Sequence, residues 1–335
     1  MTDSIPEPAP SSRDSRTGFW EVRIRWWGIL RAGMSVTVAV SLAGFFTRVA
    51  WRFEQLCHFR PQFFIVLAVC AMLFLAGKKF KSAALAGAVA ALNLAFILPL
   101  YLSGATPTGD GPRVRILMAN VHTANLQHER VKEYVRTCNA DVVALLEVDD
   151  LWMKSLSSLD AEYPHAMKEE RQDNFGMALW SRRPFLDCGT RYFGEAGLPT
   201  IDVLVEVKGV RLRLLATHPL PPTSAEGIGL RDEHLSLLAR YVESLPGAKV
   251  IVGDLNTTSW SPCFGELERE SGLRDSRRGF GVQPSWPAGL PWLWVPIDHC
   301  LVSSDVGVIS REVGPDIGSD HYPVLIELSL PPAAR

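Results

Sequence analysis

Three apolar stretches separated by short polar links dominate the first third of the chain. They run over about 26–46, 62–77 and 82–104, and the second has 16 residues. A membrane-spanning helix needs about 20 predominantly apolar residues, so the second stretch must extend into its flanks. Because the three follow one another so closely, the pattern predicts three transmembrane helices over 26–104. A soluble helical subdomain and a cleavable signal peptide are the alternatives.

Basic residues around these stretches predict the orientation. The tail before the first stretch and the turn after the second carry 7 Lys and Arg, against 3 in the loop between the first and second stretches. The positive-inside rule then places the tail and the turn after the second stretch in the cytoplasm, and the carboxy-terminal domain on the extracytoplasmic face of the inner cell membrane. Arg31 and Arg60 are expected to extend to the lipid headgroups.

The same patterning predicts four segments. Residues 1–25 are expected to form a disordered cytoplasmic tail, 26–104 the anchor, 105–112 a Gly/Pro-rich linker and 113–335 a separate domain.

From residue 113 onwards, short apolar runs alternate with amphipathic stretches. Helices are predicted over 126–138, 229–245 and 262–271. Alternation of this kind indicates a layered α/β domain. The predicted strands are 114–120, 141–148, 177–181, 202–207, 211–218, 249–254, 297–303 and 323–330.

Acids, amides and imidazoles recur at the edges of these predicted strands. Strand ends on one rim of an α/β sheet converge on a single ligand site. Alternate residues of a strand face the same way, so Asp254 and Asn256 are expected to hold one group together. The residues concerned are Asn120, Glu147, His218, Asp254, Asn256, Asp298 and the GSDH of 318–321.

This set of side chains favours chemistry on a phosphate ester. Hard carboxylate and amide oxygens suit Mg²⁺ or Mn²⁺ rather than Zn²⁺. A divalent ion and two histidines can stabilise the charge that develops on a phosphoryl group. The six cysteines are scattered without CxxC spacing, so we interpret them as small buried hydrophobes.

The motifs ILMANVH, ADVVALLEV, LLATH, VGDLN, IDHCLVS and GSDHYPVLIEL, in this order, resemble the endonuclease/exonuclease/phosphatase (DNase I-like) superfamily. The resemblance covers about 113–330. It implies a four-layered α/β sandwich, in which two packed mixed sheets are flanked by helices. It also implies a metal-dependent phosphoric ester hydrolase.

The resemblance implies a metal centre and a catalytic group. Glu147 would be the main metal ligand, Asn120 would lie near the metal and the scissile phosphate, and Asp320 would complete the metal or histidine network. Whether Asp254 or His321 is the general base stays open. The implied catalytic residues are Asp254, Asn256, His218, His321 and Asp298.

Three further residues are weaker candidates for binding the substrate. Asn174 lies in the DNFGMALWSRRP segment, and Arg231 opens a predicted helix from which it could reach a phosphate. Trp286 belongs to the uncharged, tryptophan-rich segment 280–296, which could enter a membrane interface. Packing of that segment on the domain's own core and stacking on nucleobases are the alternatives.

Charge bears on the substrate. Residues 1–110 carry 11 Lys and Arg against 6 Asp and Glu, whereas the remainder carries 23 against 30. An acidic domain is a poor polyanion binder, which disfavours nucleic acid. The sequence therefore predicts a membrane-anchored phosphoesterase for a lipid-linked or small exported substrate. An anchored DNA or RNA nuclease and a catalytically inactive binding domain are the alternatives.

Overall fold

The computed structural model describes residues 26–47, 49–102 and 111–333. The predicted tail over 1–25 and most of the predicted linker lie outside the described residues. We call residues 26–102 the helical segment and residues 111–333 the sheet domain. The helices of the helical segment are α1 Trp26–Ala43, α2 Trp51–Cys57, α3 Arg60–Ala76, α4 Phe80–Ile97 and α5 Pro99–Leu102.

Two helices of the helical segment, α1 and α4, are each long and apolar enough to cross a membrane. Helices α2 and α3 meet at a bend of 64° and provide a third candidate span only if the pair counts as one. Helices α1, α3 and α4 pack around a shared core that includes Met34, Leu67 and Phe74. Many outward-facing side chains are large and apolar, which suits contact with lipid.

Arg60 does not extend outward as predicted. Its side chain is only 2% exposed, since it opens α3 inside the helical segment. Its guanidinium donates to the Gly44 carbonyl at 3.2 Å and to Asn93 Oδ1 at 3.3 Å, and it lies 3.8 Å from the centroid of the Phe45 ring. The prediction is wrong because these internal acceptors replace the headgroup.

The sheet domain alternates strands with helices, as its pattern predicts. Its helices are α6 His128–Cys138, α7 Asp150–Leu156, α8 Ala225–Ser244 and α9 Pro262–Ser271. Its strands are β1 Arg113–Asn120, β2 Val142–Leu146, β3 His165–Glu169, β4 Met177–Ser181, β5 Phe185–Tyr192, β6 Pro199–Val207, β7 Val210–Thr217, β8 Ala248–Asp254, β9 Arg274–Asp275, β10 Asp298–Val302, β11 Gly307–Val313 and β12 Val324–Ser329.

Two mixed six-stranded sheets form the centre of the sheet domain. Their strand orders are β11-β12-β1-β2-β4-β3 and β5-β6-β7-β8-β10-β9. One apolar cluster lies between the sheets, a second joins the first sheet to α6 and α7, and a third joins the second sheet to α8 and α9. The four-layered sandwich implied by the resemblance is therefore the observed architecture.

The helical segment is docked on the sheet domain. The Leu100 carbonyl accepts hydrogen bonds from the backbone N–H of Gly279 at 2.8 Å and of Gly281 at 2.9 Å. Gln62 Nε2 donates to the Trp294 carbonyl at 2.8 Å. These contacts fix the helical segment against the loop that precedes β10, rather than leaving it as a loose tether.

Candidate active site

The first sheet contributes two neighbouring polar side chains. Strands β1 and β2 are parallel, so the end of β1 at Asn120 lies beside Leu146, the residue before Glu147. Asn120 Nδ2 donates to Glu147 Oε1 at 2.8 Å. Glu147 has a left-handed backbone with φ of 61°, a strained conformation for a residue with a side chain. The left-handed backbone and the hydrogen bond from Asn120 together fix the direction of the Glu147 carboxylate.

The second sheet contributes the facing group. Strands β7 and β8 are parallel, so His218 follows one and Asp254 ends the other at the same rim. Asp254 lies directly opposite Asp298 in the antiparallel pair β8–β10. A side chain at Gly253 would collide with the Thr217 carbonyl, so glycine allows the two strand ends to approach.

A buried hydrogen-bonded network joins the two sheets. His321 Nδ1 lies 2.8 Å from Asp298 Oδ2, and its Nε2 lies 3.5 Å from Asp254 Oδ2. His218 Nε2 lies 3.5 Å from the same Asp254 oxygen, and Asn120 Nδ2 donates to it at 3.3 Å. One carboxylate oxygen of Asp254 is therefore surrounded by three nitrogens.

The charges of this network follow from its contacts. Burial alone would lower the pKa of His321, but Asp298 and Asp254 outweigh it and raise the pKa to about 10. Burial also opposes the charge of His218, yet Asp254 raises its pKa. The two histidines outweigh burial of Asp254 and lower the pKa of its carboxyl to about 2. At neutral pH Asp254 is thus a carboxylate beside the His321 imidazolium.

Asn256 is oriented differently from the prediction. Strand β8 ends at Asp254, and Asn256 adopts a left-handed backbone with φ of 51°. Its backbone N–H donates to Asp254 Oδ1 at 2.9 Å, while its Nδ2 donates to the Pro219 carbonyl at 3.0 Å. The inference that alternate strand residues face the same way fails here because the strand has already ended.

A second cluster lies beside Glu147. His122 Nδ1 is 3.6 Å from Glu147 Oε2 and 3.4 Å from Asp320 Oδ1. Trp286 Nε1 donates to Asp320 Oδ2 at 3.1 Å. Sequence reasoning missed His122, although an imidazole two residues after the end of β1 was the available signal.

The donor types of this second cluster fit a hard divalent ion. Glu147 and Asp320 offer carboxylate oxygens on either side of His122. Asn120 fits less well as a ligand, because its Nδ2 faces the carboxylates and its Oδ1 accepts from the His122 N–H at 3.0 Å. Its observed contacts hold Glu147 and Asp254 in place.

The network around Asp254 also has residue types that bind metals. Ligand-type atoms of Asp254, Asp298 and His321 lie within 4.8 Å of one another. Both ring nitrogens of His321 already lie against carboxylates, at 2.8 Å from Asp298 and 3.5 Å from Asp254. We therefore regard this group as a proton-holding network.

A cavity of about 820 Å³ opens on this rim. Asn174 and Trp286, both predicted to bind substrate, line it together with the rim carboxylates and histidines. Three residues of the helical segment, Gln55, His58 and Phe59, form part of the wall. Nothing in the sequence indicated this, because the helical segment was expected to act only as an anchor.

Arg231 lies outside the cavity, contrary to its predicted role in phosphate binding. It is fully buried in α8, where its guanidinium pairs with Glu54 at 2.5 Å and with Asp232 at 2.6 Å. The prediction is wrong because the Arg231 guanidinium binds the Glu54 carboxylate instead of a phosphate. The sequence does not reveal this pair, since the two residues are 177 positions apart.

Several solved structures share the fold of this chain. The humanized TDP2 of D. rerio has a TM-score of 0.56 at 16% identity, covering 65% of this chain and 99% of that one. An endonuclease/exonuclease/phosphatase from Bacteroides vulgatus has a TM-score of 0.56 at 19% identity, with 65% and 99% covered. The human Nocturnin catalytic domain with bound sulfate has a TM-score of 0.53 at 17% identity, with 65% and 93% covered.

The sequence comparisons are of two kinds. No curated protein matches the chain as a sequence relative. The profile described as "Endonuclease/Exonuclease/phosphatase family" matches residues 119–321, which is more than half of the chain and includes every rim residue described above. The chain therefore belongs to the endonuclease/exonuclease/phosphatase family, whose members are hydrolases acting on phosphate esters.

Proposed function

We propose that this protein is a membrane-anchored, Mg²⁺-dependent phosphoesterase that hydrolyses a lipid-linked phosphate ester. Its helical segment would lie in the inner cell membrane, with the sheet domain on the extracytoplasmic face. The observation that carries the proposal is the cavity wall. Gln55 of α2, together with His58 and Phe59 between α2 and α3, lines the same cavity as Asp254 and His321.

The surroundings of the cavity support a substrate that approaches from the bilayer. Phe59 lies directly before α3, whose outward side carries large apolar residues. Trp292 is 66% exposed on the tryptophan-rich loop, and the neighbouring Trp294 carbonyl accepts from Gln62 of α3. The tryptophan-rich loop and α3, which are both apolar and are hydrogen-bonded to each other next to the cavity, are of a kind that lies at a membrane interface.

The charge of the cavity bears on the substrate class. Among the described residues that line it there is no Lys or Arg, whereas Glu147, Asp173, Glu226, Asp254 and Asp320 are acidic. A polyphosphate or a nucleic acid strand needs several cationic contacts. One phosphate ester next to an uncharged or cationic group fits this wall better.

The metal would be held by Glu147 and Asp320. A bound divalent ion neutralises charge on the phosphoryl oxygens and assists the departing oxygen. Asn120 holds the Glu147 carboxylate by its Nδ2, so the ligand is already oriented.

The proton states assign roles to the other residues. Asp254 is ionised and beside the cavity, so it can orient a water and accept its proton. His321 carries its proton and is held by Asp298, so it can donate a hydrogen bond to a phosphoryl oxygen as charge grows there. His218 can donate in the same way. We therefore propose Asp254 rather than His321 as the general base.

A nuclease is the second candidate, favoured by one neighbour. A structure of D. rerio TDP2 complexed with single strand DNA product has a TM-score of 0.56 at 17% identity, covering 65% of this chain and 99% of that one. The cavity wall without Lys or Arg opposes this candidate.

A substrate panel tests the proposal on the full chain in liposomes with Mg²⁺. The panel holds phospholipids, sphingomyelin, lipid-linked pyrophosphates, inositol phosphates, supercoiled plasmid and RNA. We expect release of phosphate or headgroup from a lipid, lost with EDTA and in Asp254→Ala. The matched control is Asp305→Ala, at the far end of β10 from the site, which should remain active. Plasmid nicking with intact lipids would establish the nuclease, and no turnover of any substrate would favour an inactive binding domain.

A further inference from the structure

A buried ion pair joins the helical segment to the sheet domain beside the active site. Arg231 Nη2 in α8 lies 2.5 Å from Glu54 Oε1 in α2, although the two residues are 177 positions apart in the chain. Arg231 is fully buried and Glu54 is 5% exposed. Ser261 Oγ also donates to Glu54 Oε1, at 3.2 Å. The short helix α2 thus supplies a buried carboxylate to Arg231 of the sheet domain.

The other arm of the guanidinium contacts the rim. Arg231 Nη1 donates to the Asn256 carbonyl at 3.2 Å. The Asn256 backbone N–H in turn donates to Asp254 Oδ1 at 2.9 Å. A continuous path of hydrogen bonds therefore runs from Glu54 through Arg231 and the left-handed Asn256 to the carboxylate of Asp254.

We propose that Glu54 and Arg231 are positioning residues for Asp254, so that helix α2 is part of the catalytic unit as well as of the anchor. The guanidinium fork is planar and its donors are fixed relative to one another. When Glu54 holds one arm, the other arm is directed at the Asn256 carbonyl. Asn256 is then held in its left-handed conformation, with its N–H aimed at Asp254.

The partners of Arg231 explain why Glu54 is needed. Arg231 also pairs with the adjacent Asp232, whose side chain is 42% exposed. Without Glu54, Asp232 is the remaining carboxylate partner among the described contacts of Arg231, and it would draw the guanidinium toward the surface. The Asn256 carbonyl would then lose the hydrogen bond from Arg231 Nη1. The Asp254 carboxylate, which the Asn256 N–H contacts, would no longer be held in a fixed orientation. Misplacing a reacting group by about 1 Å lowers rates by about a hundredfold.

Two substitutions in the full chain separate positioning from general stability. Glu54→Gln removes the charge with little change in volume. Arg231→Lys keeps a cation for Glu54 but cannot also reach the Asn256 carbonyl with a fork. Gln62→Ala is the matched control, because it removes a hydrogen bond between the helical segment and the sheet domain at a different place.

Three measurements are made on the detergent-purified proteins: kcat and KM for bis(p-nitrophenyl) phosphate with Mg²⁺, hydrogen exchange of the backbone amides at 255–258, and Tm. We expect Glu54→Gln and Arg231→Lys to lower kcat by about ten- to a hundredfold with KM little changed. Exchange at 255–258 should become faster in both. Gln62→Ala should keep the wild-type kcat and exchange.

The outcomes are distinct. Wild-type kcat and exchange in Glu54→Gln would overturn the positioning role, as would equal losses in Gln62→Ala that follow Tm alone. The kinetic readout rests on the proposed function, but the exchange readout does not. If the wild-type protein hydrolyses nothing, the proposed function fails, while faster exchange at 255–258 would still support the path from Glu54 to Asp254.

Discussion

Two buried histidines near β10 differ in charge, since at neutral pH His321 is a cation and His299 is neutral. His321 contacts Asp298 and Asp254, and its pKa is raised to about 10. His299, the next residue after Asp298, is fully buried beside Arg277 and Asp275, and its pKa is lowered to about 3. Adjacent strand residues point to opposite faces, so β10 directs Asp298 to the rim and His299 to the interior behind it.

The hydrogen bonds of His299 explain the difference. Its Nε2 donates to the Thr257 carbonyl at 2.7 Å, and its Nδ1 accepts from Arg277 Nη2 at 2.9 Å. A proton on Nδ1 would break the second bond and place two cations together. Burial lowers the pKa first, Arg277 and Arg311 lower it further, and Asp275 only partly offsets them. Burial lowers the pKa of both histidines, and the sign of the neighbouring charges decides whether that effect is reinforced or reversed.

Replacing the carboxylate of the rim network should have the largest effect. In Asp298→Asn, His321 loses its oriented anionic partner, so we expect kcat to fall on the order of 100-fold. Steady-state hydrolysis of bis(p-nitrophenyl) phosphate with Mg²⁺ measures this. An unchanged kcat would mean that His321 does not act through its charge.

The fall of activity at alkaline pH should report the charge of His321, which Asp298 stabilises. His321 must carry its proton to donate a hydrogen bond to the phosphoryl oxygen, so wild-type activity should persist toward pH 10, the approximate pKa of His321, and fall above it. Removing the Asp298 charge lowers this pKa, so the limb of Asp298→Asn should move to lower pH. A pH–rate profile of both proteins checks the sign, and a shift to higher pH would contradict the assignment.

The His299 network should affect stability rather than rate. In His299→Leu, the Thr257 carbonyl loses its donor while buried, a loss of about 1–3 kcal/mol. We expect Tm to fall by roughly 2–8 °C, with kcat within about twofold of wild type. Thermal unfolding followed by tryptophan fluorescence tests this. A rate loss as large as that of Asp298→Asn would place His299 in the catalytic group.

The smallest expected effect is a slope of stability with pH. The folded-state pKa of His299, about 3, lies below its ordinary value of 6.5, so the unfolded state takes up the proton first as pH falls. Its contribution is complete above about pH 6.5 and is lost as pH falls toward 3, by at most about 1.4 kcal/mol per pH unit. Tm between pH 7 and 4 should therefore fall less steeply in His299→Leu. Equal slopes would show that His299 is not neutral in the fold.

Strand prediction succeeded where side chains are buried and failed at the sheet edges. All eight predicted strands are present, and β4 has its predicted bounds. The four edge strands β3, β5, β9 and β11 were not predicted. Most residues of β3 and β5 are partly or fully exposed and carry little apolar signal, and β9 has only two residues. An edge strand is defined by its partner's hydrogen bonds, which the local pattern does not contain.

The sequence by itself determined the layered α/β sandwich, the family, the rim residues Asn120, Glu147, His218, Asp254 and His321, and the apolar character of the helical segment. Apolar periodicity predicted the alternating elements and the apolar helical segment, whereas the family and the two-sheet sandwich were implied by the resemblance of the motifs. Only the tertiary structure decided that Arg231 serves Glu54 rather than a phosphate, that α2 lines the cavity, and that His321 and His299 differ in charge. These depend on which side chains meet across long sequence separations, since charge and hydrogen bonding act through space.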